Sequence, residues 1–308
     1  MNGYMQQPRM NTGEMLKQAF LGNNVLSRLI LINTIVFLIV KMVGLISYLF
    51  AVGQSADNGL SLSIFAQHLA LPSSFETFIS MPWTIITYMF LHEDFFHILF
   101  NLIILYFGGQ LFNEYLGERR LLWTYLSGGI IGGLFFLMAF NIFPAFELIK
   151  GNSVALGASA SVLAIIVAVA IYVPDYTVQL LFIGRTKLKY IAIIFVAIDL
   201  LSIQSGNPGG HIAHLGGALW GFIYALTLRK GTDLYRFLNL SFPQFKKKRT
   251  YSTERQENKR PFGDDEYNER RARTQEKIDE ILDKISKSGY SSLTKEEKEI
   301  LFKTSKKD

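Results

Sequence analysis

Apolar residues in this chain fall into long uninterrupted blocks, with no short amphipathic repeat through most of its length. Six blocks stand out, at residues 29–51, 95–116, 121–140, 153–173, 190–203 and 212–228. A hydrocarbon core about 30 Å thick is crossed by roughly 20 apolar residues in helical form, so blocks of this length predict membrane-spanning helices. The fifth block is short, and its helix is expected to extend back toward Leu180. The first follows Arg9, Lys17 and Arg28. It is too long for the apolar part of a cleaved leader and lacks a small-residue cleavage site, so it reads as a retained span. The connection over 52–82 carries Leu60, Leu62, Ile64, Phe65, Leu69 and Leu71, which predicts a short amphipathic helix lying in the membrane interface.

Charge placement gives the spans an orientation. Only 18% of the residues are charged, against about 25% in a soluble domain. Of the 31 Lys and Arg, 21 lie from Arg229 onward and only 10 before it, which excludes both an ordinary soluble globule and a disordered chain. With no Cys, disulfide scaffolds, Cys-ligated zinc and a Cys nucleophile are excluded too. The net charge of +6 would suit nucleic acid, but its distribution has a simpler cause. Basic residues collect before the first block, at Arg119-Arg120, at Arg185, Lys187 and Lys189, and after the sixth block. If six spans alternate, all four clusters lie on one side, while the opposite connections hold almost none. By the positive-inside rule both termini are cytoplasmic, and no nucleic-acid partner is expected. The chain reads as an integral membrane protein, and the absence of a targeting segment fits a bacterial inner membrane.

The resulting organisation is a cytoplasmic N-terminal segment over 1–27, a six-helix membrane domain over 28–230, a basic and mixed-charge linker over 231–265, and a cytoplasmic helical hairpin over 266–308. In the hairpin, Ile278, Ile281, Leu282 and Ile285 recur at helical spacing, Gly289 stops the helix, and Thr294 with Glu297 forms a capping box. So small a unit is expected to dock on a protein partner or on its own copy in a dimer.

Polar groups inside a span are costly and mark function by default. Span two carries His97 and Asn101 four residues apart on one face, span four Ser159 and Ser161, span five Asp199, and span six His211 and His214. Spans two, four and six enter from the outer side, with Ser159 about six residues into its span and His97 and His214 about two residues into theirs. These groups therefore share one layer near the outer surface. A hydroxyl, an imidazole and a His/Asn pair are the parts needed for acyl transfer. Gly157 and the Gly217/Gly221 ridge would let the helices that carry them pack closely. For the remaining polar groups plainer roles are favoured: packing for Ser161, a loop or helix cap for His211, a structural or gating role rather than third catalytic member for Asp199, snorkelling or pairing for Lys41, and the interface for His68 and His92. The pairs Gly128-Gly129 and Gly132-Gly133 read as packing contacts.

Four segments resemble the rhomboid family of intramembrane serine proteases. They are Pro82-Trp83 with Thr87–His92, His97-Ile98-Leu99-Phe100-Asn101 followed by Gly108-Gly109, Gly157-Ala158-Ser159-Ala160, and Ala213-His214-Leu215-Gly216-Gly217 with Gly221. The resemblance covers about 80–228 and implies an all-α six-helix rhomboid-like bundle. It implies a Ser159 nucleophile with His214 as general base, and an oxyanion held by His97, Asn101 and the backbone N–H of Ser159. Gly217 and Gly221 would pack span six on span four. The implied substrates are single-pass membrane proteins cut near the outer face of the bilayer, with no cofactor and no metal. The chain departs from the family pattern at Ala160, where Gly is frequent, at Thr84, where some members have Arg, and at Leu163, where some have an aromatic. The alternatives are a non-catalytic rhomboid-like factor that binds membrane clients, whose relatives usually lack one dyad residue, and a small transporter, which would show internal repeats or interrupted helices.

Overall fold

Long runs of Leu, Ile, Val and Phe without Pro can satisfy their backbone groups in lipid only as helices, and the structure has them as helices. The computed structural model describes residues 11–50, 64–92, 94–180, 184–204, 206–236, 238, 277–289, 292–294 and 296–298. In chain order the helices of the first unit are α1 (Thr12–Leu21), α2 (Val25–Phe50), α3 (Ile64–Leu69), α4 (Phe75–Ser80), α5 (Thr84–Thr87), α6 (Phe95–Leu116), α7 (Glu118–Ile142), α8 (Ser159–Tyr172), α9 (Leu188–Ser202) and α10 (Pro208–Arg229). Two short antiparallel pairs accompany them. β1 (Leu71–Pro72) pairs with β2 (Val154–Ala155), and β3 (Thr177–Leu180) pairs with β4 (Gly184–Lys187).

Among the described residues four helices, α2, α6, α7 and α10, are long and apolar enough to cross a membrane. Helices α8 and α9 have 14 and 15 residues. At 1.5 Å per residue they reach about 21–22 Å, short of the hydrocarbon core. The packing is centred on α8, whose residues from Ala160 to Ala170 are all buried and which touches α6, α7, α9 and α10. Helices α2 and α9 lie at the periphery and expose Leu38, Met42, Ile194 and Leu201 on the side that lipid would cover. Buried polar groups tie the layers together. The amide of Asn33 on α2 donates to the Tyr125 hydroxyl on α7 at 3.0 Å, and that hydroxyl in turn reaches the Met89 carbonyl at 3.1 Å.

The structure differs from the sequence-based expectation in four places. Helix α8 begins at Ser159, because the residues before it are extended and pair with β1, so Ser159 opens its helix and is not six residues into it. A β-hairpin leads into α9 where a helix was expected to run back toward Leu180. His211 lies within the first turn of α10, and not in a loop. The segment expected to start a linker at 231 instead turns back onto α7: Arg119 donates to the carbonyls of Tyr235, Arg236 and Leu238, and Arg120 pairs with Asp233 at 3.0 Å.

The chain divides into two units, Met1–Phe245 and Lys246–Asp308. In the second, residues 277–288 are helical and stop at Gly289, where φ is +75°. Glu297 and Thr294 make the expected reciprocal cap, and Lys284 reaches Glu297 at 2.8 Å. Ile281 and Leu293 are buried, whereas Leu282 is exposed. The expected helix start at 266, and the apolar residues Leu60, Leu62, Ile300, Leu301 and Phe302, lie outside the described residues.

Candidate active site

Ser159 owes its position to a chain reversal. Pairing of Leu71 with Ala155 holds the approach, and Gly157 donates its N–H to the Tyr88 carbonyl at 2.9 Å. Gly157 has φ +126°, a conformation that needs glycine, and a Cβ there would come within 2.8 Å of His97 Nε2. The chain then turns directly into α8. The regular ladder of that helix begins with Val162 donating to Ala158 at 2.9 Å, so the N–H groups of Ser159 and its neighbours point out from the helix start.

His214 lies in the second turn of α10, a helix opened by Pro208 at its first position and capped by the Asn207 side chain on Gly210 N–H at 3.0 Å. One and two turns further along, Gly217 and Gly221 have no side chain, and the space a Cβ would need is filled by the backbone carbonyls of Ala160 and Ala164. The two helices touch main chain to main chain, and the contact carries the imidazole to the hydroxyl: His214 Nε2 is 2.5 Å from Ser159 Oγ. Ala160 is accommodated because Gly132 on α7 leaves room for its methyl group.

The other face of the imidazole is also engaged. His214 Nδ1 and His211 Nδ1 each lie 2.8 Å from the same oxygen, Oδ1 of Asp199, which is 7% exposed. A carboxylate only accepts hydrogen bonds, so each Nδ1 carries a proton and His214 Nε2 is left as an acceptor for the serine hydroxyl. Among the described residues, these three are the ones whose ligating atoms are close enough to share an ion. Their mutual hydrogen bonds account for their positions.

A cavity of about 200 Å³ opens beside the pair, lined by Asn101, Leu163, Phe195, Asp199, Ser159 and His214 among others. Asn101 Nδ2 donates to the His97 carbonyl at 3.0 Å, and the backbone N–H of His97 is capped by Asp94 at 2.8 Å. Ser159, His214, Asn101 and Gly157 therefore converge, with the His97 ring against Gly157. Ser161 points elsewhere: it is buried against α7, and its hydroxyl has no hydrogen-bond partner among the described residues. Lys41 Nζ on α2 lies 5.8 Å from the centre of the Phe37 ring one turn back. His92 is buried, its ring edge-on to that of His97. Beyond the helices, the exposed Asp175 carboxyl is held below its ordinary range by hydrogen bonds from Lys187 and Lys189.

The contact of Asp199 with both imidazoles was not foreseen from the sequence, although Asp199 lies near the end of its apolar block and His211 and His214 are three residues apart on one helical face. Those signals were present, but they do not reveal how α9 is rotated about its axis.

A family model for the rhomboid domain matches residues 80–231. RHOMBOID-like protein 12, mitochondrial, from Arabidopsis thaliana is 34% identical over 158 residues, 48% of this chain and 47% of the relative. Presenilin-associated rhomboid-like protein A, mitochondrial, from Danio rerio is 29% identical over 161 residues, 48% of this chain and 39% of the relative. The chain belongs to the rhomboid family. Its rhomboid domain holds every residue of the converging cluster, and the matched part spans less than half the length of either relative. A second model, "Family of unknown function (DUF6576)", matches residues 264–307 and so includes the helix over 277–288. Both relatives are named mitochondrial, which does not favour the bacterial inner membrane expected from the sequence. What stands is an integral membrane protein of the rhomboid family.

Proposed function

We propose that this rhomboid protein is an intramembrane serine endopeptidase that cleaves membrane-spanning segments of other proteins with Ser159 and His214. The observation that carries the reading is the 2.5 Å approach of Ser159 Oγ to His214 Nε2 beside a cavity that also holds Asn101. As Oγ bonds to a peptide carbonyl carbon, its proton passes to His214 Nε2 and the carbonyl electrons move onto oxygen. The N–H groups at the start of α8, with His97 and Asn101, stabilise that oxyanion in this reading. Collapse of the intermediate breaks the C–N bond, and His214 returns the proton to the leaving amine. Water then repeats the sequence on the acyl-enzyme and frees the serine. The substrate class is a single-pass membrane protein whose segment unwinds into the cavity.

The topology that goes with this reading has six spans, with α8 and α9 crossing a core locally filled by the longer helices around them. Both termini then lie on the side where Lys and Arg collect, the cytoplasmic side by the positive-inside rule. Purified protein should react at Ser159 with a fluorophosphonate probe and cleave a membrane-anchored reporter, and Ser159→Ala should do neither while keeping its fold. Cleavage retained in Ser159→Ala would reject the nucleophile. A folded wild type that neither labels nor cleaves would favour the non-catalytic client-binding reading.

A further inference from the structure

We infer that Asp199 is a positioning residue for His214, so that the site works as a Ser159–His214–Asp199 relay of contacts rather than as a pair. This rests on the protease reading above. Three observations support it. First, the three groups are joined in series. Asp199 Oδ1 is 2.8 Å from His214 Nδ1, and His214 Nε2 is 2.5 Å from Ser159 Oγ. Second, α9 buries only three of its residues, Leu188, Ala192 and Asp199, so its one carboxylate faces the protein while its other face is apolar and exposed. A carboxylate in that setting is expensive unless it is used or firmly paired. Third, Asp199 lines the same cavity as Ser159 and Asn101, so its charge is felt where charge develops during acyl transfer.

The contact does two things to the base. It keeps the proton on Nδ1, so that Nε2 presents a lone pair to the serine. It also places a fixed negative charge beside the imidazolium that forms once Ser159 has given up its proton. Asp199 itself stays a carboxylate throughout. The proton moves from Oγ to Nε2 and onward to the leaving amine, and none passes to the aspartate. His211 holds the same Oδ1 from one turn earlier on α10, which keeps the carboxylate turned toward that helix.

A purely structural role, pinning α9 to α10 through two hydrogen bonds, makes a different forecast. Asn in place of Asp can keep its carbonyl oxygen as acceptor for both rings and so preserve the pin. It removes the charge, and if its amide turns inward it forces the proton onto Nε2, where the base is blocked. The test uses the full chain in detergent micelles, comparing wild type, Asp199→Asn, Asp199→Ala and Ser159→Ala for fluorophosphonate labelling and for kcat and KM on a membrane-anchored reporter. Expected is a fall in kcat of up to about 10⁴-fold in Asp199→Asn, the size of the Ser-His-Asp precedent, with KM little changed. A far-downfield proton resonance of His214 Nδ1–H is expected in the wild type and should be lost in Asp199→Asn. If Asp199→Ala fails to fold, Asp199→Asn decides alone. An active wild type whose Asp199→Asn form loses less than tenfold in kcat overturns the assignment of Asp199 and leaves the serine protease reading intact. A wild type that neither labels nor cleaves overturns both.

Discussion

His92 lies in the turn before α6, 3% exposed, with its ring 5.0 Å from that of His97. Neither of its ring nitrogens has a hydrogen-bond partner of ordinary geometry among the described residues. Burial, with His97 as a second cause, pushes its pKa down to about 3, and the Phe90 backbone and the Asp94 charge offset this only in part. An unfolded chain takes up a proton at this position near pH 6.5, whereas the folded one resists it until far lower. The contribution to stability is therefore complete above that pH and is lost as pH falls toward 3. Between pH 6 and 4 the loss should approach about 1 kcal/mol per pH unit. Melting curves in detergent at the two pH values should show wild type losing more than His92→Phe, and equal losses would contradict the burial argument. At this scale Ser159 and His214 stood out as polar groups in apolar blocks and by the family motifs, although Ser159 opens its helix and does not lie at the depth expected for it. The Asp199 contact and the burial of His92 were not readable, because both depend on which way a helix or turn is rotated, and one sequence does not carry that information.

The decisive contact between elements is the seam of α8 and α10. Gly217 and Gly221 lie where the Ala160 and Ala164 carbonyls approach, so a larger residue has no flexible neighbour to displace. Gly217→Val should separate the helices, cost at least about 2 kcal/mol by overpacking, and lower the rate of Ser159 labelling more than tenfold. Thermal melting and labelling kinetics on one preparation would check both effects, and a stable, fully reactive variant would mean the seam is softer than the backbone contact implies. The glycine ridge was visible in the sequence. The true start of α8 was not, because an apolar extended segment and an apolar helix have the same hydropathy, and the pairing that separates them joins residues 71–72 to 154–155. The β3–β4 hairpin was legible in principle: Thr177, Val178, Gln179 and Leu180 alternate polar and apolar with the period of a strand.

At the level of the whole molecule, the first unit contains every member of the converging cluster and continues past the rhomboid match to Phe245. Tyr235 explains part of that extension. Its ring stacks on Tyr224 at 4.3 Å, and its hydroxyl joins Ser127 and Trp220. Removing residues 246–308 should therefore leave Ser159 labelling within about twofold of the full chain, whereas removal from 232 onward should destabilise α7 and α10. Labelling and melting of the two truncated proteins would check this, and a large loss on the shorter deletion would give residues 246–308 a part in the reaction. Composition marked a polar C-terminal part, but the return of residues 232–236 and Leu238 to α7 rests on Arg119 reaching main-chain oxygens, which leaves no trace in side-chain patterning.

Because main chain meets main chain between α8 and α10, the register of Ser159 and His214 is independent of the identity of the surrounding greasy residues. Substitutions on the outward faces of α2, α6 and α9 can accumulate freely as long as they stay apolar, while a few glycines cannot drift at all. Divergent homologues should thus differ most where they meet the bilayer and least along one narrow stripe, a contrast that a deep mutational scan would map directly.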